Sequence, residues 1–145
     1  PRSTLFPYTT LFRSITTGID NNRAAMLLAV LEKKAGLAMQ SSDTFINVTG
    51  GLQLKEPAAD LAILCALASS FKEVPVDFKT ILIGEVGLTG EIRGVNSIEK
   101  RLMEAEKMGF KRAVIAESNE KISKGIKNIE IIPVSSVRQV IDLLF

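Results

Sequence analysis

The chain has no histidine and one cysteine, Cys65, among its 145 residues. Without histidine there is no His-based catalytic triad, and most zinc chemistry is excluded with it. A lone cysteine also rules out an internal disulfide and any Cys-rich metal site. No GxxxxGK[ST] stretch occurs, so the chain carries no ATP site of the P-loop kind. The longest strongly apolar run, residues 61–68, falls far short of the ~20 residues that cross a bilayer. There is no internal repeat and no low-complexity tract.

What is present reads as one soluble globular domain, with 46% hydrophobic and 23% charged residues. The formal net charge of +2 depends on the N-terminus. "PRSTLFPYTTLFRS" (residues 1–14) lacks the periodicity of the remainder and holds the only tyrosine. Residues 4–14 resemble the in-frame translation of a synthetic DNA-sequencing adapter. They have neither the long apolar core nor the small-residue cleavage site of a signal peptide. The expected organisation is therefore a non-native segment, 1–14, followed by one domain, 15–145. Without Arg2 and Arg13 the basic residues number 16, equal to the 16 acidic ones. Bulk charge then says nothing about nucleic acid, and any such binding must come from a local patch.

Beyond residue 15 the patterning is regular. Asp20 is placed to cap a helix whose Ala24, Leu27, Leu28, Leu31 and Ala35 share one face, and Gly36 stops it. "TFINVTGG" alternates and is β-branched, predicting a strand that ends at Gly50–Gly51. Pro57 suits the first turn of a helix over 58–71, apolar almost all round and so expected to be buried. "TILIG", "RAVIA" and "IEIIPV" read as strands. Glycines 84, 87, 90 and 94 punctuate a hairpin or sharply bent strand pair. Asn96 or Ser97 caps a helix running to Met108, a short helix falls near 119–124, and Ser135 or Ser136 caps the last helix. The alternation predicts a mixed α/β, or α+β, layered fold, with the hairpin making the sheet mixed.

Three blocks carry a resemblance: "GIDNNRAAMLLAVLEKKAGL" (18–37), "FINVTGGLQLKEPAADLAILCALASS" (45–70) and "GEVGLTGEIRGVNSIEKRLMEAEKMGFKRAVI" (84–115). In this order they resemble the C-terminal domain of the RadA (Sms) family of bacterial DNA-repair proteins, over about residues 17–145. That domain is similar to the proteolytic domain of Lon proteases. The resemblance implies a Lon-like mixed sheet packed against helices, within the ribosomal-protein-domain-like superfold. It also implies N-terminal truncation: such sequences place a strand before "TGID", and that strand is expected to be missing. The result would be a sheet edge either exposed or paired with part of 1–14.

Lon proteases enter their buried helix through Gly-Pro-Ser-Ala-Gly, with the serine as nucleophile. "EPAAD" (56–60) stands at that place, so Ala58 replaces the serine. Alignment through Leu102 and Gly109 puts Glu99 at the partner lysine, with Lys100 about 100° away around the helix. A methyl group has no lone pair to attack with and no proton for a base to take. Ser69 and Ser70 lie about three turns further along. The dyad positions Ala58 and Glu99 are thus degenerate, and no catalytic residue is expected. Glu99 reads as the back-bonding carboxylate of a cap at Asn96. Asp60 reads as a partner of its helix dipole, and Cys65 as a core residue with a raised thiol pKa.

Arg93, Lys100, Arg101, Lys107, Lys111 and Arg112 are the candidate DNA-contacting residues, with Lys121, Lys124 and Lys127 as a second group. Glu99, Glu104 and Glu106 among them fit a solvated mixed-charge face as well. The resemblance implies a ring-shaped homo-oligomer, a hexamer in the longer protein. It also implies DNA recombination intermediates and a RecA-type recombinase as partners, no membrane, and a bacterial cytoplasmic setting. ATP, Mg and Zn would belong to the part of such a protein that this chain lacks, where ATP-dependent branch migration is driven. Two other readings remain: an active Ser/Lys peptidase, and a pure ring-assembly module that touches no DNA.

Overall fold

The structure, a computed structural model, describes residues 14–145. Strand β1 (Ser14–Thr17) leads into helix α1 (Asn21–Ala35). The Asp20 carboxylate accepts the Arg23 N–H at 3.1 Å, and Gly36 ends the helix at φ +71°. Ala24, Leu27, Leu28, Leu31 and Ala35 are all buried, as their spacing requires.

Strand β2 (Thr44–Asn47) runs parallel to β1, with Ser14 opposite Thr44 and Thr17 opposite Asn47. An exposed sheet edge or one paired with part of 1–14 was expected; β1 begins at Ser14 and pairs with β2, and residues 1–13 lie outside the described residues. β2 also stops earlier than predicted. Gly50 and Gly51, at φ +76° and +68°, turn the chain through residues 49–51 instead of extending it.

A 3-10 turn at Pro57–Ala59 then feeds helix α2 (Asp60–Lys72). Strand β3 (Thr80–Ile83) is followed by the hairpin β4 (Glu85–Val86) and β5 (Ile92–Arg93), helix α3 (Ile98–Lys107) and strand β6 (Arg112–Ala116). Two 3-10 turns occupy residues 117–119 and 122–125, where one short helix was expected. Strand β7 (Glu130–Val134) and helix α4 (Val137–Leu144) complete the chain, α4 being capped by the Ser136 hydroxyl.

The fold is mixed α/β, but the mixing lies between ladders. Among the described residues β3, β6 and β7 form a parallel sheet in the order β3-β6-β7. The pairs β1–β2 (parallel) and β4–β5 (antiparallel) are separate ladders. In β7 the Glu130 N–H bonds to the Lys111 carbonyl, so alternation points the Pro133 nitrogen to the outer edge, where it breaks no ladder bond.

β6 divides the core. Val114 and Ala116 face a cluster with Leu27, Leu28 and Leu31 of α1, Leu61, Leu64 and Cys65 of α2, and Val137 and Val140 of α4. Ala113 and Ile115 face a second cluster with Ile98, Leu102 and Ala105 of α3. Burial on both faces is the condition under which parallel sheets occur. α2 departs from the prediction on one side. Ala62, Ile63, Ala66, Leu67, Ser70 and Phe71 line an apolar groove of about 830 Å³ whose other wall includes residues 42–48.

Candidate functional site

The turn before α2, which the Lon resemblance marks as the nucleophile's place, is tightly built. The Ala58 carbonyl accepts the Gly84 N–H at 3.0 Å, and the Leu61 N–H returns a bond to the Gly84 carbonyl at 3.0 Å. These bonds fasten the turn to the end of β3. A side chain at Gly84 would come within 2.9 Å of Ile92, so the close approach needs glycine there. Ala58 is 4% exposed, and its methyl packs in the cluster of Ile98 and Leu102. It offers no hydroxyl, and its place is core.

The second dyad position does not turn toward Ala58. Glu99 is exposed and directed at Gly125, whose added Cβ would lie 3.9 Å from its carboxylate. Arg101 of α3 reaches Glu56, the residue that caps this turn, at 3.3 Å. The Glu56 carboxyl also accepts the Ala58 N–H at 3.2 Å. That bond first, and Arg101 next, hold its pKa below the ordinary value. The expected cap with Asn96 and Glu99 is corrected as well. Ser97, at φ +58°, is the boundary residue and makes no side-chain cap bond. Its left-handed conformation starts the helix one residue later, so Glu99 falls in the second helical position. Asn96 instead accepts from Arg101 through its carbonyl at 3.0 Å.

Asp60 is more than a dipole partner. It is 0% exposed, held by both Nε and Nη2 of Arg23, and it accepts the Val86 N–H at 3.2 Å. One carboxylate thereby joins α1, α2 and β4. The signal was available in the sequence: a carboxylate in a buried apolar helix requires a cationic partner. Nothing in the sequence picked out Arg23, 37 residues away. Cys65 is the buried thiol that was expected, its pKa pushed up to about 12 by burial. In the β4–β5 loop the Glu91 carboxylate accepts the Thr89 hydroxyl and N–H and two bonds from Arg93. The Thr89 hydroxyl bond leads in lowering its pKa to about 2. That carboxylate fills the space over Gly87 which a side chain there would need.

Of the six candidate DNA-contacting residues, Arg93, Lys100 and Arg101 stand toward the C-terminal end of the parallel sheet and Lys107, Lys111 and Arg112 toward its N-terminal end. Lys100 and Lys107, seven residues apart on α3, are about 10 Å apart along its axis at 1.5 Å per residue. Four are tied to carboxylates: Arg93 to Glu91 and Glu85, Arg101 to Glu56, Lys107 to Glu104 and Arg112 to Asp77. Lys100 and Lys111 are exposed and enter no ion pair among the described residues. Among those residues no group of three His, Cys, Asp or Glu side chains is placed to hold a metal, and no helix is long and apolar enough to cross a membrane.

A family model described as subunit ChlI of Mg-chelatase matches residues 16–119, most of the chain. The chain belongs to this family. It is 49% identical over 127 residues to DNA repair protein RadA of Bacillus subtilis, covering 88% of this chain and 28% of that protein. Against RadA of Aquifex aeolicus the identity is 50% over 140 residues, covering 95% and 30%. Against RadA of Streptococcus pneumoniae it is 44% over 130 residues, covering 90% and 31%. The chain thus spans about three tenths of the length of these curated relatives and is homologous to that part of them. The matched region, residues 16–119, contains Arg23, Ala58 and Asp60.

Proposed function

We propose that the chain is a proteolytically inactive, Lon-like domain of a RadA-type DNA repair and recombination ATPase. In the longer cytoplasmic bacterial protein it serves as an assembly scaffold and auxiliary DNA-contacting surface for ATP-dependent branch migration. One observation carries the inactive part: a buried alanine methyl occupies the turn where a Lon nucleophile would stand, and Glu99 faces away from it. A Ser–Lys dyad needs an attacking hydroxyl and an amine to take its proton, and neither is at hand. The DNA part is supported by the name of the relatives and by the exposed lysines at both ends of the parallel sheet.

The test uses the full-length RadA-type protein with all six candidate basic residues changed to alanine. Weaker DNA binding with a shallower salt dependence supports the contact role, because each lost phosphate contact removes released counterions. Binding that does not change in strength or salt slope overturns it. The pure assembly reading is favoured by the four basic residues already paired with carboxylates. It predicts an intact ring and unaltered DNA affinity in that variant. The unmodified protein should cleave neither casein nor a fluorogenic peptide; turnover that disappears on mutation would defeat the inactive reading.

A further inference from the structure

Resting on the DNA-contact reading, we infer that the N-terminal end of the parallel sheet is a stacking site for single-stranded nucleic acid, built on Phe78 and flanked by Lys79 and Lys111. Phe78 is 83% exposed, the most exposed large apolar side chain among the described residues. Burial of a phenylalanine ring is worth roughly 1.5–3 kcal/mol, so a ring left in water gains the fold nothing. The Lys79 ammonium lies 5.3 Å from the ring centroid. The Lys111 N–H bonds to the Lys79 carbonyl at 2.8 Å, which fixes the two lysines on adjoining strand starts. Met108, 73% exposed, borders the same surface through Gly109, whose added Cβ would lie 3.7 Å from the Lys79 ammonium.

Most carboxylates at this end are engaged; the exception is Glu130, exposed at the start of β7 in register with Arg112 and in no ion pair among the described residues. Asp77, the nearest carboxylate in sequence, is occupied by the Lys79 N–H at 2.7 Å and the Arg112 guanidinium at 3.6 Å. Glu106 is bonded by Asn128, and Glu104 by Lys107. Lys79 and Lys111 enter no ion pair among the described residues, so two exposed lysines, the Lys79 ammonium over one side of the ring, flank an aromatic side chain that is 83% exposed. A base can stack on the ring while its neighbouring phosphates meet the lysines, the arrangement by which single strands are held without sequence preference. A duplex, whose bases are already stacked, leaves the ring unused. Phe78, Lys79 and Lys111 are not among the residues that line the groove beside α2. The opposite end of the sheet differs: Arg93 and Arg101 are held by carboxylates, and its exposed apolar residues, Leu88 and Ile122, are aliphatic.

The chain has no tryptophan, so Phe78→Trp introduces a single reporter. Titrating that variant with oligothymidylate at low salt should quench the indole emission; inorganic polyphosphate should leave it unchanged. By fluorescence anisotropy of a labelled oligothymidylate, Phe78→Ala should weaken binding about tenfold. Lys79→Ala with Lys111→Ala should lower the slope of log K against log salt by about 1.4. Wild-type affinity in these variants, with binding lost instead in Arg93→Ala with Lys100→Ala, overturns this inference and leaves the broader DNA-contact reading standing. Quenching by polyphosphate as strong as by oligothymidylate marks a plain anion surface and also overturns it. Absence of binding to either single strand or duplex overturns both.

Discussion

Leu61, Leu64, Cys65 and Ala68 on one side of α2 are sealed against α1 and the parallel sheet, whereas Ala62, Ile63, Ala66 and Leu67 on the other side line the groove beside β2. The two faces have nearly the same composition. Apolar residues state that a surface is to be covered; they do not state by what. The sealed face is covered by elements within residues 14–145. The open face meets β2, whose alternate residues Phe45 and Asn47 direct their N–H and C=O away from β1, because the Val48 N–H bonds to Thr17. Among the described residues the open side therefore pairs an unfilled strand edge with an unfilled helix face.

The comparison can be broken most sharply by truncation. Leu102→Ala, in the sealed second cluster, should cost about 4 kcal/mol in chemical denaturation. Leu67→Ala, on the groove wall, should cost about 1 kcal/mol, since a half-covered side chain loses less on removal. Equal losses would mean that the groove is closed in solution. Next in size is Asp60→Ala, which strands the Arg23 guanidinium where α1, α2 and β4 meet. It should cost about 3 kcal/mol, and much of that should return when Arg23→Met is combined with Asp60→Leu. The smallest effect on stability, and the most local probe, is thiol reactivity. Cys65, with a pKa of about 12, is in its unreactive thiol form until the pH approaches that value. At pH 8 it should ignore a disulfide reagent in the native protein, whereas a cysteine introduced by Ala66→Cys, one residue along and exposed, should react at once.

Local order was readable wherever neighbouring residues decide it. Asp20 and Gly36 bound α1 because a side-chain cap and a left-handed glycine act within a single turn. Ser136 does the same for α4. The three strands of the parallel sheet follow from their short β-branched runs. The failures arose where the deciding partner is remote or the backbone unusual. β1 has only four residues, and its strand character rests on pairing with β2 about thirty residues later. Ser97 adopts a conformation that glycine favours, which no propensity announces. The candidate site was legible in one respect: the residue at position 58 settles what the turn lacks. Its surroundings were not, because Arg101 meets Glu56, and Arg23 meets Asp60, only after folding. The basic residues read as one cluster in a linear string; in the fold they are spread over the hairpin, α3 and the start of β6. Phe78 went unnoticed because an isolated aromatic carries no period; its exposure is a property of the folded surface.

Pro133 has a consequence for how this molecule meets others. Its nitrogen bears no hydrogen and faces outward from the last strand of the parallel sheet, so that rim lacks a donor at the position where an intruding chain would have to dock. Replacing it with valine would leave the interior ladder whole while giving the rim the capacity to recruit strangers, turning a quiet border into a seed for fibrous association.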